Sequence, residues 1–297
     1  MHSIEYINCR ICGSGASKFL GVRGNREYAG APSLENSGEH IMTNVVRCKK
    51  CGFVYTNPLI IHKTEGYNDP NTYLSSSGIG AGALFNFTLN FIEKYSNKGK
   101  ILDVGCGKGE FLFSAKKRGW EPYGVEPSEN LANFASKEYG LNIRTATVRE
   151  AVYPDDFFDV ITLNMVLEHV DDPKQLLSEI RRILKPKGLL FIEVPNTDSF
   201  MLKAAALYFR LKGKNWSPLL SPLHYPFHCY GYNISSLKHL LAKQDFNMKK
   251  LLVNDSSLRG FRPDSGGAGF EKTMRNAAAR MGNLLGKGDV LMVIAER

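Results

Sequence analysis

The chain has no apolar run long enough to cross a bilayer. Met1-His2-Ser3-Ile4-Glu5 at its start lacks both the basic residues and the apolar core of a cleavable leader. A cytoplasmic protein without a membrane span is therefore expected. Low-complexity tracts are missing too, and 43% hydrophobic with 23% charged residues is a globular composition. Net charge is absent from residues 1–198, which hold 23 Lys/Arg and 23 Asp/Glu, whereas residues 199–297 hold 15 Lys/Arg against 6 Asp/Glu. The whole net charge of +9 thus sits in the last third. Such a stretch suits an anionic partner (a nucleotide or phosphate-bearing substrate, RNA, or a membrane surface), although a solvated basic face has the same composition. At 297 residues there is room for one domain of ordinary size and a small module.

Cys9-Arg10-Ile11-Cys12-Gly13 and Cys48-Lys49-Lys50-Cys51-Gly52 are two C-x-x-C-G knuckles separated by 35 residues. Each bends two thiolates toward one point, and the glycine that follows tolerates the turn. Together they offer the four sulfurs of a tetrahedral zinc site, structural because no coordination position stays open. Disulfides are the competing use, disfavoured in a reducing compartment. Phe19 to Val22, Ile41 to Arg47 and Phe53 to Tyr55 read as short strands of a zinc ribbon within residues 1–62. Ribbons of this kind often bind nucleic acid, but this one has no dense Lys/Arg run. Residues 63–82 read as a polar linker carrying Tyr67 and Tyr73. The helical spacing of Leu84, Phe87, Phe91 and Ile92 then predicts a helix over Ala83 to Tyr95.

The remainder is organised around Ile101-Leu102-Asp103-Val104-Gly105-Cys106-Gly107-Lys108-Gly109-Glu110, which reads as a buried strand, a tight turn and a helix start. Glycines let the turn take positive φ and let a ligand approach the backbone. The helix N-terminus adds free N–H groups. From Lys100 onward strands alternate with helices, which predicts a doubly wound α/β sheet. A second strand, Pro122 to Val125, ends at Glu126, 17 residues past the last glycine of the turn. An acid there grips ribose hydroxyls in nucleotide-binding α/β folds. A third strand is expected near Asn142 to Thr147, a fourth before Asn164-Met165, and a fifth over Leu189 to Asn196, with Lys185-Pro186-Lys187-Gly188 stopping the helix between the last two.

In order, Asp103 to Gly109, Glu126-Pro127-Ser128, Phe158-Asp159-Val160 with Leu167-Glu168-His169-Val170, Leu184 to Gly188 and Val194-Pro195-Asn196 resemble the blocks of a class I methyltransferase dependent on S-adenosylmethionine (SAM). The resemblance implies a Rossmann-like seven-stranded sheet with an antiparallel last strand, over a domain of residues 83–297. It places Gly105, Gly107 and Gly109 along the methionine and ribose of SAM, Glu126 on the ribose hydroxyls, and Asn164 and Met165 beside the cofactor. Asp103 belongs to the same cofactor-binding set. The acid that usually faces adenine after strand three has no clear counterpart, and Thr147 is the nearest candidate. Lys108 stands where a small residue is usual, harmlessly if it points to solvent.

An acceptor-binding insertion is expected at about residues 197–232. Phe200 to Leu211 reads as a lid or docking helix, and Pro222 to Tyr232 packs His224, His228, Tyr225, Tyr230, Tyr232 and Phe227 into eleven residues. Methyl transfer requires positioning, and a hydroxyl or a carbon beside a ketone must also lose a proton, which a histidine can take. Tyr225-x-x-His228 is similar to a segment of sugar C-methyltransferases, which also carry an amino-terminal four-cysteine zinc module. That likeness implies a nucleotide-linked keto-sugar as acceptor, His228 as base and Tyr225 steadying an enolate. Phe227 departs from the acid usual before the histidine. His169 is a second base candidate. Further on, Gly266 to Gly269 reads as a flexible connection, Glu271 to Leu285 as a basic helix and Val290 to Ala295 as the final strand. The expectation is methyl transfer from SAM to a small acceptor, a nucleotide-linked sugar first. An RNA methyltransferase gripping nucleic acid through its ribbon is the alternative, and a non-catalytic SAM-binding scaffold is the third.

Overall fold

The computed structural model describes residues 3–24, 42–61, 81–222, 227–254, 277, 280–282 and 284–297. The amino-terminal module contributes strands β1 (Ser3–Glu5), β2 (Ser17–Gly24), β3 (Met42–Cys48), β4 (Val54–Asn57) and β5 (Leu59–Ile61). The larger unit begins with helix α1 (Ala81–Ile92), two residues earlier than its apolar spacing predicts. It then alternates β6 (Lys100–Val104), α2 (Glu110–Lys117), β7 (Glu121–Val125), α3 (Glu129–Tyr139), β8 (Asn142–Arg144), β9 (Phe158–Asn164), α4 (Pro173–Ile183) and β10 (Leu184–Pro195). Helix α5 (Phe200–Leu211), β11 (Tyr230–Gly231), α6 (Ile234–Lys243), β12 (Asn247–Asn254) and β13 (Val290–Glu296) complete it.

Seven strands form one sheet in the order β12-β13-β10-β9-β6-β7-β8. Strands β6 to β10 pair in parallel, while β13 runs antiparallel to both β10 and β12. The order reverses beside β6, and in an open α/β sheet that is where a crevice opens at the carboxyl ends of the strands. Sequence explains the layering. Strand β9 is buried at five of seven positions, and β13 at all but its last, as strands covered on both faces must be. Helix α4 puts Leu177, Ile180 and Ile183 on one stripe and starts on Asp172, whose carboxylate accepts Lys174 N–H and Gln175 N–H at 3.0 Å each. Asn233 and Ser236 close a reciprocal cap on α6.

Lys185-Pro186-Lys187-Gly188 does not merely stop α4. It lies inside β10, where the pairing with β9 shifts register between Leu184 and Leu189 and Lys187 takes φ 64°. A bulge thus absorbs the helix-to-strand turn without a separate loop. The Gly266 loop and nine of the fifteen residues of the predicted basic helix over Glu271 to Leu285 lie outside the described residues.

The amino-terminal module is not a separate bead. Its sheet has the order β11-β4-β3-β2, so a strand from residues 230–231 pairs onto β4 with Tyr230 opposite Tyr55. One buried apolar cluster runs from Ile7, Cys9, Phe53 and Tyr55 through Tyr230 and Tyr232 to Leu163, Leu167 and Leu237. Phe53 stacks with Tyr55 and Tyr230 at ring-centroid distances of 5.9 and 5.7 Å and meets Tyr232 at 5.1 Å. Removing a fully buried aromatic such as Phe53 costs about 3–5 kcal/mol, a large share of the stability of a typical domain. The junction is therefore core. The Asn233 side-chain amide donates to Gly52 O at 3.1 Å, and Arg47 pairs with Asp198 at 2.9 Å, so polar bonds cross it as well.

Candidate functional site

The turn after β6 is built as its glycines suggest. Gly105, Gly107 and Gly109 have φ of 68°, 53° and 75°, in the left-handed region where side chains are strained. Two of them also have no room. A Cβ on Gly105 would lie 2.9 Å from a Val166 methyl, and one on Gly109 would lie 2.7 Å from Leu141 and 2.9 Å from Ala135. Gly105 and Cys106 N–H both donate to Val125 O, which pins the turn to the end of β7. Gly109 caps α2 without a side-chain bond, so the first turn of that helix presents backbone N–H groups.

Two carboxylates frame this cradle. Glu126, 8% exposed, accepts Gly107 N–H on one oxygen and Ser128 N–H on the other, each at 2.9 Å. Burial raises its pKa, and the two N–H donors oppose that rise. Each oxygen keeps a second lone pair for a hydroxyl. Asp103 lies deeper, at the end of β6, and one of its oxygens accepts the Thr162 hydroxyl at 2.6 Å and the Asn164 amide at 2.8 Å. Burial pushes its pKa up to about 7 against the pull of those two donors. Asn164 thus faces Asp103, and Thr162, which the sequence did not single out, is its partner on β9. Met165 follows at φ 54°, with its N–H on Glu193 O at 2.9 Å and its side chain exposed beside the strand ends. Thr147 is exposed, and its hydroxyl and N–H both donate to Glu150 at 2.8 and 2.9 Å. Lys108 is 7% exposed, so it does not point freely to solvent.

A second constellation lies on the loop after β9. Leu167–His169 form a single 3-10 turn, with Leu167 and Glu168 buried and His169 partly exposed. His228 reaches it from the far side of the chain. Its backbone exchanges two hydrogen bonds with Ser221, and the neighbouring β11 is locked onto β4. Tyr232, fully buried, donates its hydroxyl to Leu167 O at 3.3 Å and so ties the two segments together. The His169 and His228 rings lie 4.7 Å apart, tilted by 45°. Burial pushes their pKa values down to about 3 and 4, helped for His169 by the neighbouring imidazole, so both are neutral at pH 7. The ligand atoms of Glu168, His169 and His228 all lie within 4.8 Å of one another. Neither Glu168 oxygen has a hydrogen-bond partner among the described residues, and burial pushes this carboxyl up to about 8. In the sequence Glu168 stands out only as part of a family block. Its signal was a charge amid Met165, Val166, Leu167 and Val170. Tyr225 lies outside the described residues.

The four cysteines of the knuckles meet at one point. Cys9 Sγ lies 3.5 Å from Cys51 Sγ and Cys12 Sγ 3.4 Å from Cys48 Sγ, and all four sulfurs fall within 4.8 Å of one another. Those separations are far longer than the ~2 Å of a disulfide, and all six cysteines of the chain are free. The thiol hydrogen bond from Cys51 holds Cys9 well below the ordinary range, at about 5, and Cys51 is raised in turn. Among the described residues no helix is long and apolar enough to cross a membrane.

Comparison with known proteins places the crevice in context. A protein of Methanocaldococcus jannaschii described as uncharacterized is 30% identical over 122 residues, which is 40% of this chain and 56% of that protein. The ubiquinone biosynthesis O-methyltransferase of Histophilus somni is 37% identical over 123 residues, 36% of this chain and 51% of that one. The chain thus spans about half the length of the curated relatives it matches. Among solved structures, a SAM-dependent methyltransferase from Archaeoglobus fulgidus superimposes with a TM-score of 0.54 at 21% identity, covering 77% of this chain and all of that one. A second, from Mesorhizobium loti, gives 0.50 at 19% identity, over 73% of this chain and 99% of that one. These two share the fold. The sequence profile of the methyltransferase domain family matches residues 81–251, which hold the glycine turn, Glu126, Asn164 and the paired histidines. With more than half of its length inside that match, the chain belongs to the methyltransferase domain family.

Proposed function

We propose that this protein transfers a methyl group from SAM to a small acceptor, activated beside the His169–His228 pair. The observation that carries the reading is the placement of two neutral imidazoles, 4.7 Å apart, on the loop that continues β9 past the glycine cradle. When bound, SAM supplies an electrophilic methyl group. The chain's residues fit such a donor. Gly105, Gly107 and Gly109 leave the positive-φ backbone of the turn free of side chains for a ligand to approach, Glu126 holds unused lone pairs for ribose hydroxyls, and Asn164 ends β9 with Met165 just after it. Asp103 and Thr147 are the further candidates on that side. A neutral imidazole can accept the acceptor's proton, so His228 is the first candidate for the base and His169 the second. Tyr225, three residues before His228, would steady the developing negative charge.

The acceptor we favour is a nucleotide-linked sugar, methylated at a hydroxyl or at a carbon beside a ketone. Its support is the Tyr225-x-x-His228 spacing, the four-cysteine module and the basic last third of the chain. A phenolic hydroxyl is the second reading, favoured by the likeness to a ubiquinone biosynthesis O-methyltransferase. We further propose that Cys9, Cys12, Cys48 and Cys51 hold Zn²⁺. A tetrahedral ion about 2.3 Å from each sulfur sets neighbouring sulfurs about 3.8 Å apart, close to the separations of 3.4 and 3.5 Å. With four sulfurs and no open position this metal is structural, and its role is to hold the sheet onto which β11 pairs. The residues fit an internal bracket better than a nucleic-acid grip, because Arg10 and Arg47 are paired with Glu5 and Asp198.

The test is a labelled-methyl transfer assay against nucleotide sugars, phenols and structured RNA in parallel. Label on a sugar or phenol supports small-acceptor methylation and chooses between the two. Label on RNA alone overturns it. His228→Ala should lose turnover while S-adenosylhomocysteine still raises the melting temperature, and an undiminished rate removes His228 from the mechanism.

A further inference from the structure

We infer that Glu168, His169 and His228 form a second metal site, distinct from the cysteine cluster, which takes a divalent transition ion. The inference rests on the functional reading above for the identity of the ion's remaining ligand, and it replaces the base role of His169 and His228 there with that of metal ligands.

Three observations converge. The first is the donor set. Two imidazoles and one carboxylate, with ligand atoms within 4.8 Å of one another, are the composition that open sites for zinc and non-haem iron use. An ion about 2.1 Å from each donor needs them about 3.0–3.4 Å apart, so side-chain rotation by roughly an ångström closes the triad. The second is Glu168. It is 1% exposed and both its oxygens lack a hydrogen-bond partner among the described residues, which is unfavourable for a buried carboxyl in either protonation state. A bound cation removes that cost. The third is the local field. Glu193, 4% exposed, is a second buried acid close enough to disfavour charge on Glu168 further.

The ligands come from two distant parts of the chain, which the fold has taken trouble to join. Glu168 and His169 ride on the 3-10 turn after β9, and His228 on the segment that β4 captures through β11. Glu168 closes the inner side, while the two imidazoles are partly exposed, so the open positions face outward along the crevice edge. Three protein ligands leave at least one such position, and an oxygen of the acceptor is its natural occupant. There the ion would lower the pKa of a hydroxyl or an enolising ketone, the proton passing to solvent. The imidazole lone pairs would then be committed to the metal. The acceptor class narrows to molecules with an oxygen at, or one atom from, the methylated position.

The experiment uses the full-length protein. Dialysed against Co²⁺, it should bind one ion with the sulfur-to-metal absorption of the cysteine cluster and a second with weak ligand-field bands only. Glu168→Gln and, separately, His228→Asn should lose the second ion, weakening Mn²⁺ affinity by more than the roughly 100-fold that outer-shell changes produce, while the thiolate bands stay. Methyl transfer should fall after mild chelation and return with Mn²⁺ or Zn²⁺. Binding of sulfur-ligated cobalt alone overturns the inference, as does turnover untouched by chelation. Full turnover with no second ion sinks the metal site and leaves the methyl-transfer reading standing. A second ion on a protein that methylates nothing in the panel does the reverse.

Discussion

The cofactor cradle and the Glu168 pocket lie at the same edge of one sheet, and they treat buried carboxyls in opposite ways. Around the cradle every acid is met. Asp103 takes two side-chain donors, and Glu126 takes two backbone N–H groups. Next to His169 a more deeply buried acid accepts no hydrogen bond from any other described residue. Desolvation acts on all three, so burial alone does not account for the difference. The cradle is complete as protein, preorganised for a ligand that adds bonds to an existing frame. On the inferred metal site, a bound cation is the partner that would satisfy the Glu168 carboxyl.

The largest effect that tests this contrast is on ligand binding. Gly105→Val sets a branched side chain at φ 68° where a Cβ already falls 2.9 Å from Val166, and it should abolish the rise in melting temperature that S-adenosylhomocysteine gives the intact protein. An undiminished rise would mean that the cradle does not hold the cofactor. Next comes a pair of substitutions with opposite signs. Glu126→Ala leaves two N–H groups without their acceptor and should cost on the order of 1–3 kcal/mol in chemical denaturation. Glu168→Leu, measured on chelator-treated protein, should gain a similar amount while eliminating turnover. Destabilisation by both changes would erase the distinction between the two regions.

A smaller effect isolates the strut between β6 and β9. Thr162→Val removes a hydroxyl 2.6 Å from Asp103 in the core and should lower stability by about 1 kcal/mol or somewhat more. The same change should leave Co²⁺ uptake unaltered. The most specific signature is in pH. Asp103 is raised from its ordinary 3.8 to about 7, so between those values the folded chain binds more protons than the unfolded one. Stability from this group is therefore full below about pH 4, declines as pH rises, and is gone above about pH 7. Asp103→Asn should flatten that decline in ligand-free protein, whose slope from one group is at most about 1.4 kcal/mol for each step of one in pH. An identical slope in the variant would show that Asp103 does not titrate in this window.

Much of the cradle was legible because it is local. A strand, three glycines and a helix occupy ten consecutive residues, and φ-positive turns leave their mark directly as glycine. Glu126 was legible by its distance from that turn. The seven-stranded sheet with its antiparallel last strand followed from resemblance and is what the fold shows. Thr162 was not legible, since a threonine within a buried strand looks like any β-branched filler until its partner across the ladder is known. Glu168 was not singled out, for a related reason. The role proposed for it depends on His228, sixty residues away, and on β11 joining a sheet whose other strands all lie within the first sixty residues. Chain order conceals that closure completely. Lys185 to Gly188 shows the opposite failure, in which strong breaker residues suggested a loop and the fold absorbed them as a bulge in a long strand.

The strand that β11 adds to the amino-terminal sheet bears on how this protein can be rebuilt or inherited. Residues around 54–57 and 228–233 form one structural unit although the cofactor cradle and strands β6 to β10 lie between them. A chimera that swaps only the front module, or only the His228 segment, would pair a foreign edge with a native one and lose the aromatic stack about Phe53. Recombination that keeps function must therefore carry both pieces together.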